Sequence, residues 1–246
     1  MNLFNNVIAD LRDYLQRKNS EGSREYAIPR LSSWPIAGKG KVVLEPDTAI
    51  ELGNPRDESA SFMLWSNDAK IINDGRITLI GPDIGDSKQK NLPFGKVVLL
   101  GVRGMTEDNC YERHRELEMA RYDLNLSGYM MRSVSQYGRE WSRVSKKAIS
   151  QGMNFATLGS ALAQMYRNVD FVESVEIVFV TSSPADVREL GVLGDKASRL
   201  IGALNKMAAE MSFECDSCEF VDVCDEVEDL RNIRNNLKKE ETNVRR

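Results

Sequence analysis

Cys215-Asp-Ser-Cys218, followed six residues later by Cys224, is the densest chemical signal in the chain. A Cys-x-x-Cys turn presents two thiolates to one metal or to adjacent corners of a cluster, and a third thiol at this distance reaches the same centre. No fourth ligand lies nearby, and Cys110 joins only if the fold carries it there. From Glu214 to Asp229 the chain has eight carboxylates and no Lys or Arg. Adjacent anions disfavour a bare thiolate, so these residues read poorly as nucleophiles. The pattern predicts a metal held by Cys215, Cys218 and Cys224, with Cys110 as a candidate fourth ligand. An iron–sulfur cluster is the first expectation and zinc the alternative; vestigial thiols holding nothing and a disulfide remain competing readings.

A second group is basic. Arg132, Arg139, Arg143 and Lys146 follow one another at steps of seven, four and three residues, which would place them on one helical face. A row of guanidinium groups offers forked donors to phosphate oxygens, as a nucleotide-like or coenzyme A ligand requires. The competing reading is a solvated face paired with Glu116, Glu118 and Glu140. Trp141 falls on the apolar stripe beside it and reads first as a core residue, second as a ring for stacking. The one histidine, His114, sits in the charged run ERHRE and reads as a surface side chain. No Ser/His/Asp arrangement, Walker motif or HExxH occurs, so a self-contained hydrolase or kinase has no support.

These residues need elements to hold them. The chain has 246 residues, 41% of them hydrophobic, enough to bury a core. A net charge of −4 gives no basic footprint for nucleic acid. No stretch approaches the roughly 18 apolar residues of a membrane span, and the start does not read as a secretory signal. The expected location is the cytoplasm, where thiols stay reduced.

Phe4, Val7, Ile8, Leu11 and Leu15 form a stripe that predicts a surface helix docking on the body. Residues 19–40 read as an irregular arm, in which GKGK at 38–41 carries no phosphate-binding weight. Strands are expected from 41 to 101: KVVLE up to Pro46, a hairpin turning at Asn73-Asp74-Gly75, and PFGKVVLLG. The recurrence of Leu117, Ala120, Leu124, Met131, Val134, Trp141 and Ala148 predicts one long helix at about 112–150, bearing the basic stripe. Helices follow at the Asn154 cap, at Ser183-Pro184 and over Ala197 to Met211, with a strand at 174–181. The expected class is α+β, a mixed or antiparallel sheet packed with helices. Three stretches are expected: 1–40, N-terminal helix and arm; 41–224, an α+β domain ending in the cysteine cluster; 225–246, a charged tail forming a solvated helix.

Read together, GRITLIGPDI (75–84), LPFGKVVLLGVRG (92–104) and GREWSRVSKKAISQGMNFATLGSALA (138–163) resemble the middle domain of acetyl-CoA synthase, the beta subunit of the carbon monoxide dehydrogenase/acetyl-CoA synthase complex. The W-x-R-V-S-K-K-A segment at 141–148 and IGPDI are the most specific pieces. The likeness spans about residues 60 to 225 and arrives in order at Cys215-x-x-Cys218, where that family begins its nickel–iron–sulfur centre. The resemblance implies coenzyme A binding, with Trp141 and Arg143 at the motif positions and Arg139 and Arg132 as neighbours.

The sequence also departs from that family. Its third cysteine comes early, no cysteine follows Cys224, and no Cys-Gly-Cys occurs. Counterparts of the family's domain that contacts the dehydrogenase, and of the one completing the metal centre, are not expected in this sequence. Joining a methyl group, CO and a thiol needs a low-valent metal with open positions. Nickel is therefore not expected, nor is complete acetyl-CoA synthesis by this polypeptide alone. The expected function is a stand-alone acetyl-CoA-synthase-like domain of anaerobic one-carbon and acyl-CoA metabolism. It would bind an iron–sulfur cluster or other metal together with coenzyme A. Any activity would be an acyl transfer of the CO-methylating type, with carbon monoxide dehydrogenase, a corrinoid protein or ferredoxin as partner. A non-catalytic docking module, or a subunit of a split synthase, is the alternative.

Overall fold

A computed structural model describes residues 1–19, 22–28, 34–36, 42–54, 59–87, 89–135, 138–209, 215 and 218–244. In chain order the elements are α1 (Asn5–Asn19), β1 (Ser23–Ala27), β2 (Thr48–Leu52), β3 (Ser59–Ser66), β4 (Arg76–Ile80), β5 (Asn91–Leu92), β6 (Phe94–Val102) and α2 (Cys110–Ala120). There follow β7 (Tyr129–Ser135), β8 (Arg139–Ser145), α3 (Lys146–Ser150), α4 (Phe155–Arg167), β9 (Val172–Val180), α5 (Pro184–Ala209), α6 (Val221–Glu226) and α7 (Glu228–Val244).

Five strands form a mixed sheet in the order β1-β4-β9-β6-β3, with β4–β9 and β6–β3 parallel and the other pairs antiparallel. Strands β6 and β9 are near-continuous apolar runs because helices cover both faces of the sheet. On one face α4 lays Gly159 against Ile77 and Phe179, leaving no room for a side chain. On the other, Leu190 of α5 sits over Gly95 and Val180. Helix α1 buries Val7, Ile8 and Leu11, with Phe4 buried just before it, as the stripe predicts. Its Arg12 forks onto Glu176 of β9 with two bonds of 2.5 Å. A second sheet, β5-β2-β8-β7, packs through β8 beside β3. The architecture is α+β with a mixed sheet, as the sequence leads one to expect. Among the described residues no helix is long and apolar enough to cross a membrane.

The long helix at about 112–150 does not exist. Helix α2 ends at Ala120, a 3₁₀ turn covers Arg121–Asp123, and β7 and β8 form an antiparallel hairpin. Residues four apart share a face in a helix and in a strand alike, so the spacing fits both. Gly128 and Gly138, with φ of +81° and +69°, are turn positions that side chains other than glycine rarely adopt. The segment REWSRVS alternates half-buried and buried residues throughout, which only a strand can do.

Other expectations shift as well. Gly75 does turn the chain with φ +76°, but β4 leaves it to pair with β1 and β9, so no hairpin forms there. KVVLE is not a strand over its described part: Val42 and Leu44 are exposed, and β2 begins only at Thr48. The helices expected after Ser183 and over Ala197 are one continuous α5, started by Ser183 Oγ accepting the Asp186 N–H. Asn154 caps α4 as expected, its Oδ1 accepting from Thr157 N at 2.9 Å. Helix α7 buries Leu230 and Ile233 against the body and is not wholly solvated. The GKGK run and Met211 lie outside the described residues.

Candidate functional site

Cys215, Cys218 and Cys224 line one cavity of about 30 Å³. The backbone draws them in stepwise, Cys218 N–H donating to Cys215 O, Val221 N–H to Cys218 O, and Cys224 N–H to Phe220 O within α6. The cavity is closed from the α5 side by Ala203, Lys206 and Met207, and its wall includes Phe220 and Arg234. Gly202 lets the Phe220 ring sit on the α5 backbone, where an added Cβ would come within 2.8 Å of it. All four cysteines are free thiols; Cys224 is buried, and Cys215 and Cys218 are half-buried.

Lys206 and Arg234 change the electrostatics read from the sequence. Arg234 is held by Asp225 at 2.7 Å and points its positive charge at the thiols. Burial pushes the Cys224 thiol up, and the Arg234 guanidinium opposes that rise. Cys110 stands apart: it does not line the cavity, it donates to Glu107 O at 3.4 Å, and burial pushes its pKa up to about 11. Among the described residues no set of three or more His, Cys, Asp or Glu is drawn together tightly enough to hold an ion as it stands. The donor set nonetheless fits a soft metal in type, because thiolates select zinc and iron. The free volume is that of one or two water molecules.

The basic residues sit on the hairpin. Strand β8 turns Glu140, Ser142 and Val144 inward and leaves Arg139, Trp141 and Arg143 on the opposite face. The β7–β8 register shifts between Met131 and Ser133, with Arg132 at the irregularity. The Arg132 guanidinium lies 4.2 Å from the centre of the Trp141 ring and that of Arg143 lies 5.9 Å away. Glu51 of β2, the cross-strand partner of Arg143, accepts from Arg143 Nε at 2.6 Å and from Trp141 Nε1 at 3.3 Å. Trp141 is thus half-buried on an open sheet face and not a core residue. Lys146 leaves the group and donates to Pro46 O. The pairing with Glu116, Glu118 and Glu140 weighed from sequence is replaced by Glu51.

Two buried groups escaped the sequence reading. Lys96 of β6 and Glu140 of β8 form an ion pair in which both side chains are almost wholly buried. Glu140 also accepts from the hydroxyls of Tyr129, Ser142 and Ser61. Burial alone would raise the Glu140 pKa; the Lys96 charge and these hydrogen bonds outweigh it and hold the carboxyl below its usual range. A lysine inside the apolar run FGKVVLLGV was the available signal. His114, expected at the surface, is 5% exposed, and its Nδ1 accepts from Trp65 Nε1 at 3.2 Å. The charged run hid it because α2 turns only His114 and Leu117, among its central residues, toward the core.

The family model described as the CO dehydrogenase/acetyl-CoA synthase complex beta subunit matches residues 33–187. That span holds Arg132, Arg139, Trp141 and Arg143 but stops short of Cys215. The acetyl-CoA decarbonylase/synthase complex subunit beta of Archaeoglobus fulgidus is 22% identical over 187 residues, 74% of this chain and 35% of its own length. The carbon monoxide dehydrogenase/acetyl-CoA synthase subunit alpha of Moorella thermoacetica is 30% identical over 156 residues, 62% of this chain and 21% of its own length. The acetyl-CoA decarbonylase/synthase complex subunit beta 1 of Methanocaldococcus jannaschii is 27% identical, covering 67% of this chain and 21% of its own length. The chain thus spans about a third or less of the relatives it matches.

Proposed function

Since the chain belongs to the CO dehydrogenase/acetyl-CoA synthase complex beta subunit family, we propose that it is a coenzyme A-binding module of that family that works with partner chains. The observation supporting this reading is the convergence of Arg132, Trp141 and Arg143 on one open face of the β7–β8 hairpin. Arg132 and Arg143, with Arg139 on the same side of strand β8, give this face positive charge suited to phosphates. Arg132 already covers the indole ring, so an adenine would stack by displacing or extending that layer. Glu51 holds Arg143 in place, and the remaining guanidinium nitrogens stay available to a phosphate.

The thiol cavity is the second part of the proposal. Cys215, Cys218 and Cys224 would hold a metal, and Arg234 and Lys206 would offset the negative charge of its thiolates. Such a centre supplies electron transfer or structural closure where it binds. The chain's own cysteines include no Cys-Gly-Cys, so we propose no carbon–carbon bond formation by this chain alone. Its partner would be a carbon monoxide dehydrogenase or another subunit of such a complex.

Two measurements test the reading. Coenzyme A is titrated against tryptophan fluorescence, with Arg143→Ala as control; a saturable change lost in the variant supports the site, and an indifferent signal rejects it. Anaerobically purified protein is analysed for iron, zinc, nickel and sulfide. Iron with sulfide identifies a cluster, zinc alone a structural centre, and metal-free protein removes the second part of the proposal.

A further inference from the structure

A separate cavity of about 320 Å³ opens between β3, α2, α4 and α5. It shares no lining residue with the thiol cavity and none with the Arg132–Trp141 face. Its volume is at the lower end of those that hold small molecules. Phe62, Met63, Val98 and Ile201 give it an apolar wall. Its polar lining includes His114, Arg121 and Lys96, with Glu118, Tyr166 and Asn205 beside them.

The state of His114 follows from its neighbour. Trp65 Nε1 can only donate, and it lies 3.2 Å from His114 Nδ1. Nδ1 is therefore the acceptor, and the proton of the neutral ring is on Nε2. That N–H is buried without a hydrogen-bond partner among the described residues, its near neighbour being Glu118 Oε1 at 3.8 Å, too far to bond. The Nε–H of Arg121 is likewise buried without a partner. Arg121 touches Tyr122 but forms no ion pair with a carboxylate among the described residues. Lys96, by contrast, is neutralised by Glu140. Two unfilled donors, one of them on a cation, thus belong to side chains that line the cavity. A buried donor left without a partner is costly, and a ligand with a matching acceptor removes that cost.

We propose that this cavity binds a short-chain aliphatic carboxylate, its oxygens accepting from His114 Nε2–H and Arg121 Nε–H and its chain lying on Phe62, Met63 and Ile201. The assignment does not depend on coenzyme A or metal binding elsewhere in the chain. Glu118 also lines the cavity and is half exposed, and its carboxylate opposes a ligand with more than one negative charge.

The chain has one histidine, so a long-range ¹H–¹⁵N correlation spectrum reads this site without ambiguity. The free protein is expected to show the Nε2–H tautomer. Hexanoate is expected to shift the Nε2 signal saturably, and hexanamide to bind about tenfold or more weakly. Arg121→Gln should weaken hexanoate by a similar factor while keeping the tautomer, which also shows that the variant is folded. Ser198→Trp, at an exposed position on the rim, should block binding by filling the mouth. An Nδ1–H tautomer, an Nε2 signal unmoved by millimolar hexanoate, or equal binding of hexanoate and hexanamide would overturn the assignment.

Discussion

Arg143 and Glu51 face each other across the β2–β8 ladder, with Arg143 Nε 2.6 Å from Glu51 Oε1. The same carboxylate takes the Trp141 indole N–H on its other oxygen. One acidic residue on a neighbouring strand thereby orients both the ring and the cation proposed to meet coenzyme A.

Removing that carboxylate should loosen the pair without unfolding the chain. The Arg143 and Glu51 side chains are 11% and 23% exposed, so Glu51→Ala should cost about 1 kcal/mol. The urea midpoint should fall with the slope unchanged. Arg143→Ala should weaken coenzyme A about tenfold or more, with the loss shrinking as salt is raised. A Glu51→Ala midpoint equal to that of the parent would show that the pair is decorative.

The buried ion pair carries a larger expectation. Glu140→Ala strands the Lys96 charge in the interior and should destabilise the protein by about 3–5 kcal/mol. The double variant Lys96→Met/Glu140→Leu should recover most of that loss, because an apolar pair leaves no uncompensated charge. Thermal melts of the three proteins decide it. The folded Glu140 pKa lies below its usual range, so its contribution is present above the unfolded value and disappears as acid protonates it.

His114 should set the stability between pH 4 and 6.5. Burial lowers its folded pKa to about 4, from about 6.5 for a solvated imidazole, with the Arg121 charge adding to the effect. In that window the unfolded chain binds a proton that the folded chain refuses, so stability rises with pH, by about 3 kcal/mol in all. Below pH 4 both states are protonated and the slope vanishes. His114→Gln should flatten this part of the profile, measured by denaturant titration at a series of pH values. A parent profile already flat from 4 to 6.5 would contradict the buried neutral imidazole.

At the thiol cavity, Cys218→Ser should reduce metal content to a small fraction of the parent in anaerobic preparations, while Cys110→Ser should leave it unchanged. Arg234→Gln should weaken retention against a chelator, because the thiolates lose the cation that offsets them. Equal metal in the Cys110 and Cys218 variants at the parent level would show that the three thiols are not ligands.

Much of the molecule was legible in its sequence for reasons that act locally. The α1 stripe, the Asn154 cap, the Ser183-Pro184 helix start and the β-branched run of β9 are decided by neighbours within one or two turns of chain. The stretch 112–150 fits a helix by spacing alone because Arg139 and Arg143, four residues apart, share a face at either period. Trp141, two residues from each, lies opposite them in a helix and beside them in a strand. Likewise, the carboxylates around Cys215 are adjacent in sequence, whereas Arg234 and Lys206 reach the same cavity only from other helices.

By itself the sequence determined which chemical groups exist and which short segments can turn, cap or pair: three closely spaced thiols, four basic residues near a tryptophan, and two strands that must be buried on both faces. The tertiary structure decided which groups meet. Glu51 joined Arg143 and Trp141, Glu140 met Lys96, and Trp65 set the His114 proton on Nε2, because these are contacts between elements distant in the chain. Such contacts are chosen by how sheets and helices exclude water together, and no local spacing encodes that choice.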